Sequence, residues 1–251
     1  MITKEINTGE ASENGRKVGQ ILDLLYKKYE YRGLIAYEKV FDAVRHHCDN
    51  LTLMFEFREQ LVNRYSWAVP NQDALDSIAT RSPHGLIEIG AGGGYWGYLL
   101  RQQMHLRCHL YDKRPEQSYR NRESITMWTQ VLRGSVDKLE KWGSGKSLLL
   151  CWPCYEKSWA YECLLKWQDV VSPSLFYIGE GGGGCTGCDK FHELLSSSDN
   201  KYKLVDEVSI PSWHGIYDAL YVYENENYEK EISSSKYLQN GYKKMKESIN
   251  G

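Results

Sequence analysis

At 251 residues, 41% hydrophobic and 13% aromatic, the chain has enough apolar surface for one sizeable domain, or for one domain with a helical extension. A net charge of −2 excludes a global attraction to nucleic acid or anionic membrane, and no run approaches the roughly 18 apolar residues of a membrane span. An N-terminus without signal-peptide character and seven cysteines, an odd number, lead to the expectation of a cytoplasmic protein with reduced thiols.

Residues 1–13 are polar and read as loose. Between 16 and 31, Val18, Ile21, Leu22, Leu24, Leu25 and Tyr29 recur at helical spacing and predict an amphipathic helix. Further helices are expected over residues 36–47 and 51–64. Pro70 then breaks the chain and Asn71 caps a helix over 72–80. Domain organisation follows as a helical extension or lid over 1–80, a catalytic domain over 81–224 and a polar tail over 225–251.

From residue 86 the pattern alternates between strand and helix. Strands are expected at 86–89, 107–112, 126–133, 146–151 and 175–179, with helices over 158–167 and 191–195. The stretches 202–210 and 218–223 read as two strands without room for a helix between them, so they must run antiparallel. The fold class is α/β: a doubly wound, mainly parallel sheet with an antiparallel last strand and a helical N-terminal extension.

The stretch Leu86-Ile-Glu-Ile-Gly-Ala-Gly-Gly-Gly-Tyr95 organises the rest. Gly90, Gly92, Gly93 and Gly94 let the backbone turn sharply and let a nucleotide-like ligand lie against the main chain at the next helix start. Gly92, Gly94 and Gly97 match a dinucleotide G-x-G-x-x-G, but this spacing begins two residues past the strand. Glu88-Ile-Gly-Ala-Gly-Gly-Gly94 resembles motif I of the class I S-adenosylmethionine-dependent methyltransferases, acid-x-G-x-G-x-G after the first strand. The resemblance covers about residues 65–223. It implies a Rossmann-like fold that binds S-adenosyl-L-methionine through Glu88, Gly90, Ala91, Gly92 and Gly94. It implies Asp112 as acceptor for the ribose hydroxyls, Ser135 and Val136 as adenine contacts, and Cys151 at the cofactor's edge. Ser135 stands where the family usually has an acid.

Three strand ends carry unusual residues. Cys151-Trp-Pro-Cys-Tyr155 resembles the (Asp/Asn)-Pro-Pro-Tyr loop of amino-methylating members, with Trp152 in the amide position. Tryptophan cannot accept a hydrogen bond from an amine, so Trp152 and Tyr155 are read as a wall beside the sulfonium. Glu180 precedes a run of glycines that suggests close backbone approach or a flap, and is a candidate polar contact or base; His214 is a further candidate base. Cys151, Cys154, Cys185 and Cys188 form two C-x-x-C pairs that are read first as plain thiols, with a zinc site as the alternative. Tyr65-Ser-Trp-Ala-Val-Pro70, Cys-Trp-Pro-x-Tyr155 and the Gly179–Gly187 run together resemble a group of methyltransferase-like proteins in which Trp67 and Pro70 precede motif I, and the resemblance leads to the expectation that this segment folds over the cofactor cleft.

The expected function is methyl transfer from S-adenosyl-L-methionine to a small-molecule acceptor, with Trp152, Tyr155 and Glu180 as catalytic candidates. Transfer or cyclisation of the cofactor's aminoalkyl arm is an alternative, as is a non-catalytic interaction protein that keeps the fold. A nucleic-acid acceptor stays open through the lysines of the C-terminal tail.

Overall fold

The computed structural model describes residues 13–29, 36–47, 50–117 and 125–234. The expectations for residues 1–12 and 235–251 therefore lie outside the described residues. Four helices come first: α1 (Glu13–Tyr29), α2 (Ala36–His47), α3 (Leu51–Arg64) and α4 (Gln72–Thr80). Asn50 and Asn71 cap α3 and α4 by accepting backbone N–H donors on their side-chain oxygens, which satisfies groups that a helix start otherwise leaves open.

The sheet then builds in the order β3-β2-β1-β4-β5-β7-β6. Its strands are β1 (Leu86–Ile89), β2 (Cys108–Asp112), β3 (Leu132–Arg133), β4 (Ser147–Cys151), β5 (Ser174–Gly179), β6 (Tyr202–Ser209) and β7 (Ala219–Asn225). The first five are parallel, and β7 inserts between β5 and β6 antiparallel to both. Between them run α5 (Tyr95–Gln103), α6 (Asp137–Trp142), α7 (Trp159–Trp167) and α8 (Asp189–Ser196), and α9 (Tyr228–Ser234) follows β7.

Side chains alternate across each strand, so one sequence feeds two cores. Leu86, Leu149, Phe176, Ile178, Leu220 and Val222 face a core shared with α1 to α5. Ile87, Ile89, Leu148, Leu150, Leu175 and Tyr177 face the core under α6, α7 and α8. The N-terminal helices pack into the first of these cores, with Val18, Leu22, Phe41 and Leu61 buried beside the sheet residues.

The third strand is far shorter than the expected 126–133. Its preceding residues bond elsewhere: Thr126 N–H donates to Asn63 O (3.1 Å) and Trp128 N–H to Gly93 O (2.9 Å), so this segment ties α3 to the glycine loop. Only Leu132 and Arg133 are left to pair with Tyr111 and Asp112. The short helix α6 has no counterpart among the expected elements.

Candidate functional site

The carboxyl ends of β1, β2, β3 and β4 open into a cavity of about 460 Å³, walled on the far side by residues 62–67. Such ends are where an open parallel sheet receives ligands, and the volume suits a nucleoside-sized one.

The glycine loop forms the floor. Gly90 has φ 80°, and a side chain there would run into the Trp159 ring at 2.7 Å. Gly90 and Ala91 both donate backbone N–H to Tyr111 O, which fixes the loop to β2. Gly94 (φ 76°) sits at the start of α5, where an added side chain would meet Val131 at 2.8 Å. Gly90, Ala91, Gly92 and Gly93 line the cavity, whereas Gly94 works inside the protein as the turn that releases α5.

Two carboxylates of different character meet the loop. Asp112, at the end of β2, accepts Gly92 N–H on one oxygen (3.0 Å) and Arg114 N–H on the other (2.7 Å). Each oxygen keeps a further lone pair, so the group remains able to take a diol. Glu88 lies one strand inward, buried at 2% exposure, and its Oε2 has no hydrogen-bond partner among the described residues. Burial, reinforced by the Asp112 charge and opposed by Arg101, pushes its carboxyl up to about 8. Gly134 N–H donates to Asp112 O (2.9 Å) and brings Ser135 and Val136 to the same rim. Cys151 also lines the cavity, its thiol pushed well up by desolvation and by the Glu88 charge.

At the end of β4, Trp152 holds φ 52°, a left-handed conformation that costs a bulky residue on the order of 1–3 kcal/mol. Its indole N–H donates to both carboxylate oxygens of buried Asp218 (3.0 Å each), and its ring stacks on Trp67 at 4.5 Å and 11°. Trp67 and Trp152 both line the cavity.

The remaining candidates sit elsewhere. Tyr155 is exposed outside the cavity, its hydroxyl donating to Asp189 (3.3 Å). Glu180 is buried behind the wall as a loop clasp, accepting Cys185 N–H (2.7 Å) and Tyr217 N–H (2.9 Å). Burial raises its carboxyl, but those hydrogen bonds outweigh it and hold the group below its ordinary value. His214 is exposed. The glycine run after β5 folds back on the loop after β4: Gly187 N–H donates to Pro153 O (2.8 Å), and Cys154 bridges to Thr186. This juxtaposes the two C-x-x-C segments, yet among the described residues no group of three or more His, Cys, Asp or Glu is placed to hold a metal. Also among the described residues, no helix is long and apolar enough to cross a membrane.

Two cavity features escape the sequence reading. Trp159 covers Gly90 from the first turn of α7, and Tyr95 joins a cluster with Trp128 and with Tyr37 and Tyr65 of the N-terminal helical segment. An aromatic at helical spacing carries no mark that separates a cavity wall from core.

No family model matches the chain, and no curated protein matches it. Among solved structures it is similar to the S-adenosylmethionine-dependent methyltransferase SibL in its apo form. That match has 12% identity and a TM-score of 0.41, covering 86% of this chain and 70% of that one. It is also similar to an rRNA methylase from Streptococcus thermophilus (13%, TM-score 0.41, 61% of this chain and 94% of that one). A third is the mitomycin 7-O-methyltransferase MmcR (10%, TM-score 0.39, 85% and 69%). By its strand order, its inserted antiparallel strand and its glycine loop, the chain has the Rossmann-like fold of the class I S-adenosylmethionine-dependent methyltransferases.

Proposed function

We propose that the protein is an S-adenosyl-L-methionine-dependent methyltransferase acting on a small-molecule acceptor. The observation that carries this reading is the unpartnered, buried carboxyl oxygen of Glu88 on a cavity that Asp112 also lines with spare acceptor capacity. A buried carboxyl without a partner is costly, and a ligand ammonium would relieve that cost. The donor set fits the cofactor: a buried acid for the amino group, a backbone-anchored acid for the ribose diol, and a rim of Ser135 and Val136 for a flat base.

When bound, the cofactor supplies an electrophilic methyl group on a sulfonium. The chain's own contribution is orientation and exclusion of water. Gly90, Ala91 and Gly92 would allow close backbone approach, Asp112 would fix the ribose, and Trp152, stacked on Trp67, would wall the cavity and help to exclude water. Tyr155 and Glu180 remain candidates for acceptor contacts only through movement of the loops that carry them.

Calorimetric titration with S-adenosyl-L-methionine tests the reading, and absence of binding at millimolar cofactor overturns it. Coproduct analysis then separates the reactions. S-adenosylhomocysteine supports methyl transfer, and methylthioadenosine replaces it with aminoalkyl chemistry. A salt-dependent shift on RNA or DNA would overturn the small-molecule assignment.

A further inference from the structure

Asp218 lines no part of the cavity, yet it is bonded to a residue that does. It is buried at the start of β7, and both of its carboxylate oxygens take the Trp152 indole N–H. Trp152 in turn lies flat on Trp67, and the Arg58 guanidinium of α3 stands 5.5 Å and 5.8 Å from the two ring centroids. Four separate stretches of chain therefore converge on one stacked pair. The Trp152 backbone is left-handed without being glycine, so the surroundings must hold it there. The indole bond is the specific restraint on its side chain.

The cofactor-facing groups Glu88, Gly92, Asp112 and Ser135 stand at the ends of β1, β2 and β3, whereas the stack stands at the end of β4 and beside the N-terminal helical segment. We propose that Asp218 is a positioning residue: by holding the Trp152 indole it fixes the Trp152–Trp67 stack as the acceptor-side wall of the cavity. This rests on the methyltransferase reading for the word acceptor, but the restraint itself does not.

The restraint depends on charge. An ionised carboxylate offers both oxygens to the indole, while a protonated one turns an oxygen into a hydroxyl donor. Burial pushes the Asp218 carboxyl up to about 6, with the Trp152 bond and Arg58 pulling it down and Glu180 pushing it up. The titratable groups coupled to Asp218 are shifted away from that range. The carboxyl of Glu180 is held low, the thiols of Cys151 and Cys185 are held high, and burial keeps the hydroxyls of Tyr37, Tyr177 and Tyr221 above their ordinary value.

Stacked indoles couple their electronic transitions and give a circular-dichroism couplet, and Trp67→Phe identifies it by removing it from a folded protein. The couplet in the unaltered protein is expected to fade as pH falls from about 8 to about 5, with a midpoint near 6. Asp218→Asn, which keeps one acceptor oxygen, is expected to weaken the couplet and abolish its pH dependence. Cofactor affinity should stay within about threefold, because Asp218 lies off the cavity. A couplet that is constant with pH in the unaltered protein overturns the proposal, and that titration needs no variant to fold. A folded Asp218→Asn protein that keeps the pH dependence, or that loses cofactor binding by about tenfold or more, overturns it as well. Failure of the unaltered protein to bind cofactor strikes the methyltransferase reading instead and leaves the couplet titration decisive for the restraint.

Discussion

A carboxyl buried without a partner is expensive to ionise, so Glu88 is protonated in the free protein at neutral pH, its carboxyl pushed up to about 8. Between its ordinary value of 4.5 and about 8 the folded state holds a proton that the unfolded state releases. The stability Glu88 contributes is therefore full below about 4.5 and is lost as pH rises through about 8. Glu88→Gln is expected to raise the melting temperature at pH 8 or above and to flatten its pH dependence. A ligand ammonium draws the opposite response, because it favours the ionised carboxylate. Cofactor affinity should rise by about tenfold per pH unit between about 5.5 and 7, with proton release seen by calorimetry in buffers of different ionisation enthalpy. Equal proton release by the Gln variant would assign the titration to another group. Two backbone N–H donors orient the Asp112 carboxyl at the end of β2. Asp112→Asn keeps the shape and loses charge-assisted bonds to a diol, which is expected to weaken cofactor binding by roughly 10- to 100-fold. Unchanged affinity would remove Asp112 from the site.

The elements that shape the cavity are joined by one aromatic column. Tyr65 stacks on Tyr37 at 4.7 Å and on Trp128 at 5.3 Å, and the Trp128 indole N–H donates to Arg64 O at the end of α3 (2.6 Å). Tyr65→Ala should cost about 3–5 kcal/mol, the range for large buried aromatics, seen as a lower denaturant midpoint. Trp128→Phe keeps the ring and orphans one carbonyl, for about 1–3 kcal/mol. If the Phe variant cost as much as the Ala variant, the hydrogen bond and not the stack would be the main tie. Legibility in the sequence divides along the same line. The periodic helices and the apolar strands were readable, because a helical stripe or a buried run is a local signal. The expected bounds 36–47, 51–64 and 72–80 agree with α2, α3 and α4. The third strand was over-read, because a β-like stretch cannot show that its donors are claimed by Asn63 and Gly93. For the site, the glycine loop and Asp112 announce themselves by spacing after a strand. Tyr155 and Glu180 sit at strand ends as expected, but which way a side chain leaves a strand end depends on the loop beyond it. The Trp152–Asp218 bond spans 66 residues and leaves no mark in either local sequence.

At the scale of the whole molecule, the N-terminal helices and the sheet share one hydrophobic core, and the cavity lies on their seam. Residues 62–67 close it from the side of the N-terminal helices, while Glu88, Asp112 and Ser135 close it from the sheet side. Neither part can open without exposing core of the other, so thermal unfolding is expected as a single transition rather than as loss of the helices ahead of the sheet. A ligand in the seam binds only the intact molecule and so stabilises both parts together. At a cofactor concentration of about 100 times its dissociation constant, the linkage is worth about 2.7 kcal/mol. For a chain of this size that corresponds to a rise in melting temperature of about 5–10 °C. The rise should shrink in Asp112→Asn at the same concentration to roughly 1–6 °C, since that concentration is then only about 1–10 times the variant's dissociation constant and the linkage is worth about 0.4–1.4 kcal/mol. Two resolved transitions, with only the later one shifted by cofactor, would mean that the N-terminal helices fold apart from the sheet and do not help to hold the ligand.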